Sequence, residues 1–247
     1  MENSAYVSLS LASALRREMD LTANNIANAN TTGFKAERML FESYLRKEVG
    51  GSEGTNFVLD QGSYMDTRQG AIINTGNPLD LAIEGDAWFA YQNETGQRVY
   101  GRDGSFTIDG QGNLITSSGA RVLDIGGAPI AVPPDLAGLV EITRNGTIQA
   151  PGAGALATVG LFDIPDLQSY RRLGAGMFLP PEGDQQPPLQ AVGSRVVQGA
   201  VEGANVSPVS EMTRLISIQR AYERSVQLMN SGDDLRRDML RRIGETQ

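Results

Sequence analysis

Three carboxylates that could perform acid–base chemistry lie close together in the stretch NPLDLAIEGDAWF, at Asp80, Glu84 and Asp86. Two acidic side chains facing each other across a cleft form the usual catalytic pair of glycoside hydrolases. Asp80 and Glu84, however, occupy positions of one parity, while the apolar Leu81 and Ile83 occupy the other. A strand with this alternation turns its acids toward solvent. The stretch therefore predicts a half-buried strand and does not favour a catalytic pair.

The remaining motifs that could carry chemistry are weak. GAGALA at 152–157 matches a loose dinucleotide-binding pattern, but such a loop must open a helix, and TVGLFDI follows it as a strand. A turn is the better interpretation. Asp103 and Asp109 lack the ligand spacing of a calcium loop. A serine–lysine dyad would need Lys35 or Lys47, and neither lies in a segment that looks like a pocket. The motifs predict no enzyme, no cofactor and no metal site.

Composition narrows the functional classes further. The chain has 247 residues, of which 40% are hydrophobic, so it can bury a substantial core. Cysteine and histidine are both absent, which excludes thiol nucleophiles, disulfides, Cys/His zinc sites and histidine general bases. The net charge of −8 argues against nucleic acid as a partner, because phosphate binding requires a basic surface.

The N-terminal residues MENSAYVSLSLASALRREMD do not have the basic start and apolar core of a secretory signal. No stretch approaches the roughly 20 apolar residues that a membrane-spanning helix needs. The sequence therefore predicts neither a cleavable signal peptide nor a membrane span.

The two ends of the chain have helical periodicity. Apolar residues at spacings of three and four mark an N-terminal stripe at Val7, Leu11, Leu15, Met19 and Ile26, and a C-terminal stripe at Val209, Met212, Leu215, Ile216, Tyr222, Val226 and Met229. Gly33 is placed to stop the first helix, and residues 34–46 could resume as a short helix or as an extended arm. Ser207 and Pro208 predict the start of the second helix, with a break or bend at Gly232.

The middle of the chain has the short alternating runs and turn residues of a β-rich region. Paired runs separated by Gly-containing turns predict hairpins at 88–100, 105–117 and 140–150. ARVLD at 120–124 and LATVGLFDI at 156–164 each predict one further strand. The Pro-rich residues 180–190 have no strand signal.

The predicted fold class is therefore α+β, with N- and C-terminal helices and an all-β middle. The expected domains are a discontinuous helical domain of 1–47 with 205–247 and a β-rich domain of 48–204. An isolated helix is marginal in water, so each apolar stripe needs a partner. The two helices could pair with each other, or both could dock on the β-rich domain as cover helices.

Three blocks of the sequence resemble the flagellar rod and hook family. ANNIANANTTGFKAE at 23–37 resembles the N-terminal signature of that family, and residues 77–123 resemble its central β block. Residues 203–240 resemble its C-terminal helix, in which QRAYE at 219–223 is the most diagnostic run. Three blocks in the right order identify the chain as a member of this family.

Within the family, the length and the stretch QGAIINTGNPLDLAIEGD at 69–86 resemble the proximal-rod members, with the distal-rod members as the alternative. Two departures from the family pattern bear on this subtype. The chain has Ala87, Trp88 and Phe89 where Gly-Phe-Phe is usual, and Ser231-Gly232 where Thr-Ala is common.

The resemblance implies a structural role. In such proteins the terminal helices pair as a coiled-coil-like unit in the inner wall of a tube, and the β domain lies outside it. The implied partners are other copies of the chain, other rod proteins and the flagellar type III export apparatus, with no nucleic acid and no small-molecule substrate. The implied location is the periplasm-spanning rod of the basal body, reached without a cleavable signal. A periplasmic hydrolase or glycan-binding domain is the alternative from a different functional class.

A tubular assembly offers an interpretation of the four asparagines between positions 24 and 30. Amide side chains donate and accept hydrogen bonds at once, so they can join adjacent backbones without burying charge. We expect them to contact neighbouring subunits or the partner helix, with Gly33 permitting the turn and Phe34 anchoring it. The complete predicted interface comprises Val7, Leu11, Leu15, Asn24, Asn25, Asn28, Asn30, Gly33, Phe34, Met212, Leu215, Ile216, Gln219, Arg220, Tyr222, Val226 and Met229.

Overall fold

A computed structural model of the chain describes residues 2–46, 55–181 and 188–244, without the side chains at 2–7, 41–61, 134, 137, 233, 236, 239, 240 and 242–244. Its two α-helices lie at the ends, and strands fill the middle. The helices are α1, Glu2–Ala27, and α2, Pro208–Gly244, and the strands are β1 Glu37–Arg46, β2 Thr55–Met65, β3 Ile72–Asn74, β4 Leu81–Glu84, β5 Trp88–Gln92, β6 Arg98–Gly101, β7 Phe106–Ile108, β8 Leu114–Thr116, β9 Arg121–Val122, β10 Glu141–Ile142, β11 Thr147–Ala150, β12 Gly154–Thr158, β13 Leu161–Asp163, β14 Arg171–Arg172, β15 Phe178–Leu179, β16 Leu189–Gln190, β17 Arg195–Gln198 and β18 Ala200–Glu202. This arrangement confirms a mixed α+β chain with terminal helices and a β-rich middle.

The chain divides into two compact units. The helical unit comprises Met1–Ala27, Glu37–Tyr64 and Ser207–Gln247, and the β-rich unit comprises Asn28–Ala36 and Met65–Val206. Residues just after the first helix therefore group with the β-rich unit, whereas the hairpin strands that follow group with the helices.

In the helical unit, α1 and α2 contact each other and run in opposite directions. Ser225 of α2 donates a hydrogen bond to the carbonyl of Ser8 at 2.9 Å, and Arg214 lies 2.7 Å from Glu18 further along the pair. Among the described side chains of α2, the buried ones recur at intervals of seven, at Glu211, Ile218 and Ser225. Strands β1 and β2 pair in a two-stranded sheet of the same unit.

In the β-rich unit, the largest sheet has the strand order β14-β15-β6-β5-β9-β8-β7, with β13 also pairing with β5. Smaller sheets join β10-β11-β12, β17 with β4, and β18 with β3. Strand β5 is buried on both faces: Phe89 and Tyr91 belong to one hydrophobic cluster, and Trp88 and Ala90 belong to another. This central strand reads as an unbroken apolar run because neither face meets water.

Local turn chemistry predicted the hairpins correctly. The antiparallel pairs β5–β6, β7–β8 and β10–β11 confirm the three predicted hairpins. The turn between β10 and β11 contains Gly146 with φ +81°, a left-handed conformation that favours glycine. The prediction of a turn at Gly152, leading into a strand, is confirmed as well.

The prediction of one continuous strand over 156–164 is wrong. The segment forms β12 and β13, which pair with different sheets, β12 with β11 and β13 with β5. The change of sheet occurs at Gly160, whose amide donates to the carbonyl of Leu123 at 3.0 Å. A Cβ at Gly160 would lie 2.8 Å from the carbonyl oxygen of Asp124, so only glycine allows the chain to pass so close.

Other boundaries also differ from the sequence prediction. α1 ends at Ala27, well before Gly33, because the chain turns at 28–30. The extended alternative for residues 34–46 is confirmed by β1. α2 begins at Pro208 as predicted and passes through Gly232 without a break, since one glycine costs only about 1 kcal/mol in a long helix. Residues 189–190 form a short strand against β13, although the prediction had placed no strand there; residues 182–187 of that loop lie outside the described residues.

Candidate assembly surface

Within the helical unit, charged contacts join α2 to α1 and to β1. Both Nε and Nη2 of Arg214 donate to one carboxylate oxygen of Glu18, at 3.1 Å and 2.7 Å, and the Glu18 side chain is mostly buried. Arg38 of β1 lies 3.8 Å from the buried Glu211 of α2. Charge-assisted hydrogen bonds from Arg have a defined geometry, so the Arg214–Glu18 pair favours one register of α1 against α2.

The outer side of α2 leaves large apolar side chains exposed. Val209 is 76% exposed and Ile216 is 52% exposed, and Met212 and Leu228 are exposed on the same helix. Scattered exposed apolar residues are ordinary on protein surfaces. With Leu235 there are five among the described side chains of α2. Three of them, at spacings of three and four, form an apolar stripe that a packed partner could cover.

The predicted interface residues fall into three groups by exposure. Leu15, Asn25, Gly33 and Phe34 are buried; Leu11, Asn28, Leu215, Tyr222, Val226 and Met229 are half-buried; and Asn24, Asn30, Met212, Ile216, Gln219 and Arg220 are exposed. The side chain of Val7 lies outside the described residues. The exposed group is the part that a second chain could reach without any rearrangement.

Asn25 makes two hydrogen bonds within its own chain. Its amide nitrogen donates to the carbonyl of Glu37 at 2.9 Å, and its carbonyl oxygen accepts from the backbone N–H of Glu37 at 3.1 Å. The side chain is 2% exposed. An amide is the side chain suited to this task, because it can satisfy a backbone donor and a backbone acceptor together. One of the four asparagines therefore joins the end of α1 to the start of β1.

The asparagine-rich turn that follows α1, Asn28–Ala36, belongs to the β-rich unit. The amide of Thr31 donates to the carbonyl of Asn28 at 3.0 Å, which closes the turn. Phe34 is buried, and the guanidinium carbon of Arg172 lies 4.4 Å from its ring centroid. Gly33 has φ +66° and lies directly against the backbone of Arg102. The absence of a side chain at Gly33 thus allows two backbone segments to lie close together.

A buried ionic cluster lies beside this approach. Glu202 accepts from Lys35 Nζ at 2.7 Å and from Arg102 Nη1 at 3.0 Å, and all three side chains are at most 2% exposed. The indole ring of Trp88 lies 5.0 Å from the Arg102 guanidinium carbon and 5.8 Å from Lys35 Nζ, so it faces both cations. We call these four residues the Glu202 cluster.

Burial shifts the pKa of several groups in and around this cluster. It lowers the pKa of Lys35 and of Arg102, and in both cases the Glu202 carboxylate opposes the shift. Burial raises the pKa of the neighbouring Asp103, whose carboxylate accepts a hydrogen bond from Thr32 Oγ1 at 2.5 Å. Burial also raises the pKa of Tyr91, which donates to the carbonyl of Asp103 at 2.6 Å.

Asn205 makes the same kind of double contact as Asn25. Its carbonyl oxygen accepts from the amide of Ala36 at 2.7 Å, and its Nδ2 donates to the carbonyls of Asp66 at 2.7 Å and Arg68 at 3.0 Å. Sequence reasoning did not single out Arg102, Glu202 or Asn205. The available signal was a single charge set among small or apolar residues, as in Val201-Glu202-Gly203.

The carboxylates considered for catalysis do not share one environment. Asp80 is buried and accepts hydrogen bonds from Thr75 Oγ1 at 2.7 Å and Asn77 Nδ2 at 3.0 Å, whereas Glu84 and Asp86 are exposed. The expectation that Asp80 faces solvent is wrong, because it precedes β4 and stabilises the preceding turn. Lys35 is fully buried and paired with Glu202. Lys47, the other lysine considered for a dyad, lies outside the described residues.

Neither helix carries, within its described residues, an apolar stretch long enough to cross a bilayer. Across the same described part of the chain, no cluster of acidic side chains is placed to hold a metal ion.

Three family models match successive parts of the chain. The model described as flagella basal body rod protein matches residues 6–35, the model of the flagellar hook protein FlgE/F/G D1 domain matches residues 82–150, and the model of the flagellar basal body rod FlgEFG protein C-terminal region matches residues 197–242. These regions supply Lys35, Arg102 and Glu202, in that order.

Curated relatives match over almost the whole chain. The flagellar basal-body rod protein FlgF of Caulobacter vibrioides is 39% identical over 248 residues, covering 99% of each chain. FlgF of Mesorhizobium japonicum is 38% identical over 93% of this chain and 92% of its own length. The rod protein FlgG of Agrobacterium fabrum is 30% identical over 90% of this chain and 92% of its own. The chain therefore belongs to the family of flagellar basal-body rod proteins and is a FlgF-like structural rod subunit.

Proposed function

We propose that the protein is a proximal-rod subunit, which polymerises into the tubular drive shaft of the flagellum and transmits torque. The observation that carries this proposal is the exposed apolar stripe of α2, including Met212 and Ile216. Burying apolar surface of this kind lowers the free energy of the assembly, and in a polymer a neighbouring subunit can bury it. A distal-rod role, as in the FlgG relatives, is the alternative within the family.

The helices act as the polymerising element. Burial at intervals of seven in α2, together with the contacts Arg214–Glu18 and Ser225–Ser8, supports coiled-coil-like pairing of α1 and α2. The paired helices then present their uncovered stripe to neighbouring chains. The domain boundaries that follow from this role are 1–47 with 205–247 for the rod core and 48–204 for the outer domain.

We assign different roles to different residues of the predicted interface. Exposed Asn24, Asn30, Gln219 and Arg220 contact neighbouring subunits in the rod through hydrogen bonds, and the exposed apolar residues of α2 supply buried area. Asn25 contributes indirectly, because its bonds to Glu37 hold the start of β1 against the end of α1. An amide left unpaired at an interface costs about 1–3 kcal/mol, so the asparagines favour one register of neighbouring subunits.

The partners are other copies of this chain, other rod proteins and the flagellar type III export apparatus, through which the chain passes unfolded. The protein performs no catalysis and carries no cofactor. Its location is the periplasm-spanning part of the basal body. The separate environments of Asp80 and Glu84 support this non-enzymatic role over the hydrolase alternative.

Deletion of the coding region in the source organism, followed by electron microscopy of isolated basal bodies, tests the proposal. We expect structures that stop before the distal rod and carry no hook. Basal bodies that keep a proximal rod and lack only the distal rod would assign the distal role. Intact rods and hooks with normal swimming would refute a rod function.

Complementation of the deletion strain then tests the α2 stripe. The double substitution Met212→Asp/Ile216→Asp places two charges in the stripe and should abolish rod assembly, because charge is costly to bury without a partner. The control is Gln227→Asp, an exposed polar position on the same helix. Equal amounts of both variants in the periplasmic fraction separate an assembly defect from an export defect. Normal motility with the double variant would refute the stripe as an interface.

A further inference from the structure

The Glu202 cluster joins parts of the chain that are far apart in sequence. Lys35 and Glu202 are 167 positions apart, and Arg102 and Glu202 are 100 positions apart. Lys35 follows the asparagine-rich turn, Arg102 follows β6, and Glu202 ends β18, the last strand before α2. The cluster is therefore complete only when the beginning, the middle and the end of the β-rich unit have come together.

The charges of the cluster are unequal. Two cations, Lys35 and Arg102, share the one carboxylate that bonds to both, Glu202. Asp66 and Asp86 add attraction at Lys35 and Arg102 respectively. Without Glu202, two buried positive charges would repel each other in a medium of low dielectric constant. The compact arrangement of residues 33–36 and 100–103 is thus unfavourable until Glu202 arrives.

The same short segment also satisfies backbone groups around the cluster. The carbonyl of Glu202 accepts from the amide of Gly33 at 2.7 Å, and its carboxylate accepts from the amide of Gly70 at 3.0 Å. Three residues later, Asn205 accepts from the amide of Ala36. Residues 202–205 therefore provide partners for backbone donors of two buried residues, Gly33 and Ala36, and of the half-buried Gly70. A buried donor without a partner is costly.

We propose that the segment 200–205 closes the β-rich unit in a late folding step, and that Glu202 makes compaction of this unit conditional on the arrival of that segment. Contacts of long sequence separation form late when shorter contacts can form first, because closing a long loop costs more entropy. Before this step the β hairpins can form, but Lys35 and Arg102 stay in water. Resting on the unfolded export proposed above, this device would keep a partly exported chain from compacting early.

The fluorescence of Trp88 can report this closing step. Trp88 is the only tryptophan of the sequence, and its ring faces both cations of the cluster. Stopped-flow refolding of the full chain from urea, followed by Trp88 fluorescence and by far-ultraviolet circular dichroism, should give two separate phases. The circular dichroism signal should return first and the fluorescence later. Coincident single phases would overturn the proposal.

Three variants test whether the contacts of Glu202 form late in folding. Glu202→Gln keeps the shape and removes the charge, and we expect the unfolding equilibrium constant to rise on the order of 100-fold to 5,000-fold, as for other broken buried ion pairs. If Glu202 acts late, most of this change lies in faster unfolding, with refolding within about threefold of wild type. The matched control Glu84→Gln alters an exposed carboxylate and should change neither rate.

Lys35→Met keeps the test decisive if Glu202→Gln does not fold. It leaves the Arg102–Glu202 pair intact, and it too should speed unfolding while refolding stays unchanged. Where both single variants fold, Lys35→Met should raise the unfolding equilibrium constant at least about 10-fold less in the Glu202→Gln background than in wild type. In that background Lys35→Met removes a charge that repels Arg102. Slower refolding with unchanged unfolding in these variants would place the cluster early and overturn the proposal. These measurements use purified protein, so their outcome is independent of whether rods assemble in the cell.

Discussion

Replacing Gly33 by alanine tests the close approach of two backbone segments in the β-rich unit. An alanine Cβ at this position would lie 2.2 Å from the carbonyl carbon of Arg102 and 2.3 Å from the amide nitrogen of Asp103. Both atoms belong to the backbone, so no side-chain rotation can relieve the overlap. The backbone of Arg102 would have to move, and with it one of the two cations bonded to Glu202.

The expected cost has two separable parts. Gly33 has φ +66°, and placing alanine in the left-handed region costs about 1–2 kcal/mol. Forcing an additional carbon into filled space costs about 1–3 kcal/mol more. The amide of Gly33 also donates to the carbonyl of Glu202 at 2.7 Å, and a shift of the backbone weakens this bond. We therefore expect Gly33→Ala to lower the free energy of unfolding by about 2–5 kcal/mol.

Gly76 provides a matched control, because it has φ +73° and nothing lies within 4 Å of its expected Cβ. Gly76→Ala should show the backbone strain alone, about 1–2 kcal/mol. Urea titration followed by Trp88 fluorescence measures both variants. With a slope of about 1–3 kcal/mol per molar urea, the midpoint for Gly33→Ala should lie roughly 1 M below that of Gly76→Ala.

Equal midpoints for the two alanine variants would refute this reasoning. Such a result would mean that Gly33 is needed only for its left-handed conformation, as a glycine in any turn would be. A large difference would instead show that Gly33 is needed for the close contact with the backbone of Arg102, within the β-rich unit.

Two further predictions concern polar groups that bind backbone atoms. Asn25→Ala removes both hydrogen bonds to Glu37, so the backbone amide of Glu37 should exchange its hydrogen at least about 10-fold faster, as measured by NMR. The control Asn30→Ala should leave this exchange rate unchanged. An unchanged rate in both variants would contradict the internal role of Asn25. Burial holds the pKa of Tyr91 well above its usual 10.0, so above about pH 10 the unfolded chain releases a proton that the folded protein keeps, and the free energy of unfolding falls as the pH rises. Tyr91→Phe should flatten this fall in urea titrations between about pH 8 and pH 11, and an unchanged slope would argue against a buried, protonated Tyr91.

Local sequence patterns determined the parts of the fold that depend on neighbours along the chain. Helical periodicity predicted α1 and α2, and Gly-containing turns between alternating runs predicted the hairpins β5–β6, β7–β8 and β10–β11. These predictions succeeded because a helix face and a tight turn are built from residues only a few positions apart. Three separate motifs also sufficed to identify the family.

Only the tertiary structure decided which distant residues meet. The split of residues 156–164 into β12 and β13 depends on which sheet each half joins, and the burial of Asp80 depends on the turn before β4. Lys35 looks like any surface lysine in sequence, and its burial follows from Glu202, 167 positions away. No local pattern encodes such a contact, because its free energy comes from desolvation and charge pairing across the folded unit.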